Sequence, residues 1–153
     1  MQNKAVTLKP DDFEKISSPY LSGGKKEDIW KIEEITIEDK KLTAKARMVS
    51  FYKSSTDKNK FHMSTITGLE IVGQLRIIFL HVYLGLKEKT KEVWFLRGTE
   101  RCIHSIRDPE NIYIEMECNI ESTETEKHMV TMHAKISDPQ GGNFVFTAKV
   151  LMS

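Results

Sequence analysis

Thr67-Gly-Leu-Glu-Ile-Val-Gly-Gln-Leu-Arg-Ile-Ile-Phe-Leu-His-Val-Tyr-Leu-Gly-Leu86 decides how this chain is read. Wound as a helix, the stretch is apolar nearly all the way round. Its only breaks are Glu70, Gly73, Gln74, Arg76, His81 and Gly85. A membrane span wants about 20 predominantly apolar residues, and Glu70, Arg76 and His81 are expensive inside one. The expectation is therefore a helix buried in the protein's own core, not a membrane span. One face of a flat sheet does not cover such a helix. It calls for a curved sheet wrapped around it and a second subunit over what remains.

The flanking sequence supplies that sheet. Residues 29–38 and 42–50 read as strands joined by the hairpin Asp39-Lys-Lys41. Beyond the helix, 92–97, 112–121, 128–136 and 143–152 read as four more. The second of these alternates cleanly, with Ile112, Ile114, Met116, Cys118 and Ile120 on one face. Asp138-Pro-Gln-Gly-Gly142 is a strong hairpin signal, and hairpin spacing implies antiparallel pairing. Near the N-terminus, 8–16 reads as a short helix with Pro10 near its start, broken by Ser17-Ser-Pro-Tyr-Leu-Ser-Gly-Gly24. Residues 54–60 are polar and read as a mobile surface loop. With no repeat or low-complexity tract, one α+β domain over 1–153 is expected, residues 1–28 forming an N-terminal helix and loop.

Composition narrows the function classes. The 153 residues are 39% hydrophobic and 29% charged, the profile of a soluble globular protein. Lys plus Arg number 23 against 22 Asp plus Glu, a net charge of +1. That balance argues against a nucleic-acid partner, which normally goes with a basic surplus. Cys102 and Cys118 make neither a disulfide framework nor a zinc site, and they read first as small buried hydrophobes. His104, His128 and His133 lack metal-ligand spacing, so no metal is expected. Elbow-hydrolase and phosphate-loop motifs do not occur. The first residues lack the apolar core of a signal peptide, so a cytoplasmic location is expected.

The chain resembles the hotdog superfamily of acyl thioesterases and dehydratases, and more narrowly the long-chain fatty acyl-CoA thioesterase family. The likeness runs over about 16–152. It rests on Ser-Pro-Tyr20, Phe-Tyr52, Phe-His62-Met-Ser-Thr with Gln74-Leu twelve residues on, Phe-Leu-Arg97-Gly98 and Gly141-Gly142. The resemblance implies an acyl thioester substrate, acyl-CoA or acyl-carrier protein, with its carbonyl near the start of the central helix at a dimer seam. No cofactor is implied beyond coenzyme A or phosphopantetheine as part of the substrate. It also implies a homodimer or a dimer of dimers. Tyr20 and Tyr52 fall where that family has functional tyrosines, while its two functional asparagines fall on Ser64 and Gly73. The dehydratase branch's His-Phe-Pro-Gly is missing, although His62 lies nearby.

Thioester hydrolysis needs a positioned water or carboxylate and donors for the oxyanion. The N-terminus of the central helix offers backbone N–H groups and positive partial charge. Gly68 would let a thioester approach that backbone closely. Glu70 is either a carboxylate favoured by the helix dipole or a general base whose burial raises its pKa. Gln74, one turn on, would orient water or a carbonyl, or satisfy a strand edge. His62 is a base candidate with a pKa near working pH, or a solvent-exposed loop residue. Ser64 keeps a hydroxyl donor. Lys58 and Lys60 would attract the phosphates of coenzyme A or a carrier arm, or form a solvated face. Seven Met and seven Phe suit an acyl tunnel as well as a packed core. Three functions follow: thioesterase, 3-hydroxyacyl-thioester dehydratase or hydratase, and a non-catalytic binder of an acyl chain or partner protein.

Overall fold

A computed structural model describes residues 10–11, 16–124 and 126–153. The helix expected over 8–16 lies largely outside the described residues. A single turn, α1 (Pro19–Ser22), and a tight 3-10 turn, Gly24–Glu27, lead into β1 (Ile29–Glu38) and β2 (Lys41–Ser50). The long helix α2 (Thr65–Tyr83) follows, then β3 (Val93–His104), β4 (Ile112–Glu124), β5 (Lys127–Ser137) and β6 (Asn143–Met152).

The six strands form one antiparallel sheet in the order β1-β2-β4-β5-β6-β3. Alternation decides the buried face: Leu42, Ala44, Ala46 and Met48 from β2 line up with Ile112, Ile114, Met116 and Cys118 from β4. β5 adds Val130, Met132, Ala134 and Ile136, and β6 adds Phe144, Phe146, Ala148, Val150 and Met152. Ile71, Val72, Leu75, Phe79 and Leu80 of α2 join this same core. Full burial of such side chains contributes roughly 1.5–3 kcal/mol each.

Local chemistry sets both ends of α2. Ser64 is its N-cap, the hydroxyl accepting from the Thr67 N–H at 3.1 Å. At the other end Gly85 adopts φ +70, Gly85 N–H donates to Val82 C=O at 2.9 Å, and Leu86 N–H donates to His81 C=O at 2.8 Å. This paired arrangement is a Schellman motif, and it stops the helix three residues before the expected Leu86.

The sheet covers only one side of α2. Ile66, Leu69, Val82 and Tyr83 are exposed, so the apolar circumference is real but burial all round is not achieved within this chain. α2 is the one helix among the described residues long and apolar enough to cross a membrane; here half of it is buried in the protein.

β3 also departs from expectation. It runs twelve residues rather than six, and it pairs with β6 at the sheet edge rather than with β4, the next strand in sequence. Mixed residues from Gly98 to His104 hide the strand, because neither face of it is buried. Gly98 is required by that pairing, since a Cβ there would lie 2.5 Å from the Thr147 carbonyl oxygen. Cys118 is buried, and burial pushes its thiol up to about 12. Cys102 is exposed on β3, contrary to the expected buried role.

Candidate functional site

A polar cluster forms where three segments meet at the N-terminus of α2. Asp28, at the mouth of β1, accepts from the Tyr20 hydroxyl at 2.8 Å and the Thr67 hydroxyl at 3.2 Å through Oδ2. Its Oδ1 accepts from the Tyr52 backbone N–H at 3.1 Å. The Tyr20 and Tyr52 rings touch, with centroids 5.6 Å apart. Gly24 lets Tyr52 lie flat, because a Cβ at that position would fall 2.4 Å from the ring. Burial raises the Tyr20 pKa, partly offset by the Ser64 hydroxyl and reinforced by Asp28. Tyr20 therefore stays protonated and donates. Ser64 and Thr67 hydroxyls stand 3.1 Å apart, extending the network to the helix cap.

A second cluster borders the first. His62 Nδ1 and Asp57 Oδ2 are 2.9 Å apart, and Arg107 donates to Asp57 Oδ1 at 2.6 Å. The Asn59 N–H and the Arg107 guanidinium hold the Asp57 carboxyl below the ordinary carboxylate range. Asp57 Oδ2 accepts a hydrogen bond from the His62 tautomer that carries its proton on Nδ1, and in that tautomer Nε2 is an acceptor. Arg107 is itself anchored: its backbone N–H donates to Asp138 Oδ2 at 2.6 Å.

Between these clusters lies a cleft of about 310 Å³, walled by Pro19, Tyr20, Asp28, Tyr52, Lys60 and His62 among others. Four expected residues, Tyr20, Tyr52, Lys60 and His62, thus converge on one cavity. Ser64 adjoins it, but its hydroxyl is committed to capping α2.

Other expectations are corrected. Glu70 is not buried: its side chain is 46% exposed and pairs with Lys25 Nζ at 3.0 Å, with Trp30 Nε1–H also donating at 3.4 Å. The apolar surroundings required for a buried base are absent. Gly68 is not open to substrate either, since a Cβ there would meet Phe146 Cζ at 2.9 Å; the glycine serves helix–sheet packing. Gln74 is exposed and Gly73 lies beside Arg76, both remote from the cleft along α2. Lys58 is exposed and does not line the cleft. Asp28, Thr67, Asp57 and Arg107 escaped sequence reasoning because no local spacing links them. Among the described residues no group of three or more His, Cys, Asp or Glu side chains is arranged to hold a metal ion.

With this geometry in view, solved structures share the fold. A hypothetical thioesterase protein with coenzyme A from Streptococcus pneumoniae TIGR4 superposes with a TM-score of 0.53. The match is 12% identical and covers 82% of this chain and 89% of that one. A mutant thioesterase from Staphylococcus aureus Mu50 gives 0.53 at 12% identity, covering 89% and 99%. A thioesterase from Haemophilus influenzae gives 0.51 at 9% identity, covering 97% and 92%. No protein-family model and no curated protein matches the sequence. The fold is a hotdog fold. It sets one long helix on a six-stranded antiparallel sheet, as expected, with one side of the helix left uncovered.

Proposed function

We propose that this hotdog protein hydrolyses acyl thioesters in the cleft bounded by Tyr20, Asp28, Tyr52 and His62. One observation carries the reading: His62 lines the cleft with Nδ1 held by Asp57, so Nε2 is left to work as a base. In the reaction, Nε2 takes a proton from water as the water oxygen bonds to the thioester carbonyl carbon. The oxygen of the tetrahedral intermediate is stabilised by the positive end of α2 and those of its first-turn N–H groups that Ser64 leaves uncapped. Collapse breaks the C–S bond, and the departing thiolate takes the proton from His62, giving a carboxylic acid and a free thiol. Asp28 is a positioning residue, fixing Tyr20 and the Tyr52 backbone against the cleft.

The coenzyme A of the Streptococcus pneumoniae protein supports an acyl-CoA substrate, and acyl-carrier protein would present the same thioester. Lys60 at the cleft wall suits the phosphates of either. The positions of Tyr20 and Tyr52 support the narrower likeness to long-chain fatty acyl-CoA thioesterases. The reading includes a homodimer or dimer of dimers closing over β3, in the cytoplasm.

Thiol release from medium- and long-chain acyl-CoAs tests the hydrolase directly. His62→Ala should lower kcat by about 10²–10⁴, the usual contribution of a positioned base. Asp28→Asn should lower it by about 100-fold through misplacement. No turnover at any chain length, or variants equal to the parent, overturns the proposal. A second reading, hydration of enoyl thioesters, is favoured by the presence of both His62 and the Asp28 carboxylate at one cleft. Loss of enoyl-CoA absorbance without thiol release would select it.

A further inference from the structure

His62 stands in the irregular segment between β2 and α2, so individual bonds hold its ring rather than a strand or a helix. Among the described residues Asp57 is the one hydrogen-bond partner of the imidazole, with Oδ2 lying 2.9 Å from Nδ1. Whatever fixes Asp57 therefore fixes the base. Asp57 Oδ1 accepts from the Asn59 N–H at 2.9 Å and from Arg107 Nη1 at 2.6 Å. The Asn59 bond lies within the loop and moves with it. The Arg107 bond is charge-assisted and spans 50 residues of sequence, so it ties the loop to another part of the molecule. The Asp57 side chain is only 13% exposed, and solvent screens the pair only in part.

Arg107 has a firm footing for that task. Its backbone N–H donates to Asp138, which is itself buried. Ile106, the residue before it, is fully buried, and its C=O accepts from the Met63 N–H at 2.9 Å. Gly142 packs so closely on Ile106 that a Cβ there would fall 2.7 Å from the Ile106 Cα. The two ties that bracket His62, one at Asp57 and one at Met63, thus end on neighbouring residues of one tightly packed segment. Arg107 does not line the cleft, so it acts on the site through Asp57 and not on a substrate.

A neutral imidazole carries its proton on one of two nitrogens, and the partner of one nitrogen decides which. With both Asp57 oxygens committed, the carboxylate plane is set and Oδ2 stays opposite Nδ1. Without the guanidinium, Oδ1 would keep only the Asn59 bond, and the carboxylate would be free to turn toward solvent. We propose that Arg107 is a positioning residue for His62: by clamping Asp57 it holds the imidazole proton on Nδ1 and keeps Nε2 as the acceptor at the cleft. The catalytic consequence rests on the hydrolase reading, whereas the place of the proton is a property of the free protein.

Ring-nitrogen NMR of the whole protein at alkaline pH, with His62 assigned from a His62→Gln sample, reads the proton directly. The parent should carry it on Nδ1. Arg107→Met should share it between the two nitrogens or move it to Nε2, and Arg107→Lys should stay nearer the parent. A parent with the proton on Nε2 overturns the proposal, a measurement that needs no variant to fold. So does an Arg107→Met protein whose His62 signals match the parent's. In thiol-release assays Arg107→Met should lower kcat about 100-fold through misplacement of the base, with KM held within about twofold. Arg107→Lys should recover part of that loss, a pattern that general loss of structure does not produce. An Arg107→Met protein with the parent's kcat overturns the proposal and leaves the hydrolase reading standing. A parent that cleaves no thioester ends that reading, and the ring signals still decide this one.

Discussion

Asp138 is the residue on which the second cluster hangs. Its Oδ2 accepts from the N–H groups of Arg107 and Asp108 at 2.6 and 2.9 Å, and its Oδ1 from Gly142 and Gln140 at 2.7 and 3.0 Å. Burial alone would push its carboxyl up, but these four donors win and hold it below the ordinary range. A carboxyl with a depressed folded pKa contributes stability that is complete above its unfolded value, near 4. That contribution is lost as pH falls through the lower folded value. Asp138→Asn replaces one acceptor oxygen with a donor and should cost about 1–3 kcal/mol at pH 7. Urea titrations from pH 7 down to 2 should show the gap to the parent narrowing below about pH 4. A gap constant with pH would refute this account. At this scale the sequence was partly legible. His62 was readable from residue type and position, whereas Tyr20 and Tyr52 were marked only by the likeness to the thioesterase family. Asp28 and Arg107 were not, since Tyr52 and Thr67 lie 24 and 39 residues from Asp28, and Asp57 lies 50 from Arg107, so that tertiary packing joins them.

At the scale of elements, α2 and β3 contrast. Composition and period announced α2, and the Ser64 cap and Gly85 fixed its limits. β3 was half hidden because, unlike the other edge strand β1, it has no consistently buried face to impose alternation. Its closest constraint is Gly98 against the Thr147 carbonyl. Backbone cannot yield as a flexible side chain does, so Gly98→Ala should destabilise by about 1–3 kcal/mol, as overpacked sites do. Chemical denaturation measures it, and a loss below 0.5 kcal/mol would show that the two strands separate without strain.

The whole molecule has two unlike sheet edges. β1 carries Lys31, Glu33, Glu34 and Glu38, charges of the kind that discourage edge pairing. β3 instead exposes Trp94, Phe95, Leu96 and Ile103, near the uncovered Leu69 side of α2. A second copy of the chain is the partner proposed for this edge. Trp94→Lys with Phe95→Lys should shift sedimentation from dimer to monomer while leaving far-ultraviolet circular dichroism unchanged. A parent protein that sediments as a monomer would remove the dimer from the reading. The need for cover was legible in the circumference of α2. The strand order was not, because nothing local distinguishes β3 pairing with β4 from β3 pairing with β6.

That strand order has a consequence for how the protein is made. β3 leaves the ribosome with its neighbour in the sheet still unwritten: 38 residues separate His104 from Asn143. At about 5–20 residues per second, translation takes roughly 2–8 s to supply β6. Through that interval the backbone edge of β3 that pairs with β6, together with the sheet-facing side of α2, stands unshielded on the nascent chain. Soluble yield should therefore depend on chaperone supply during synthesis far more than the stability of the finished protein would suggest.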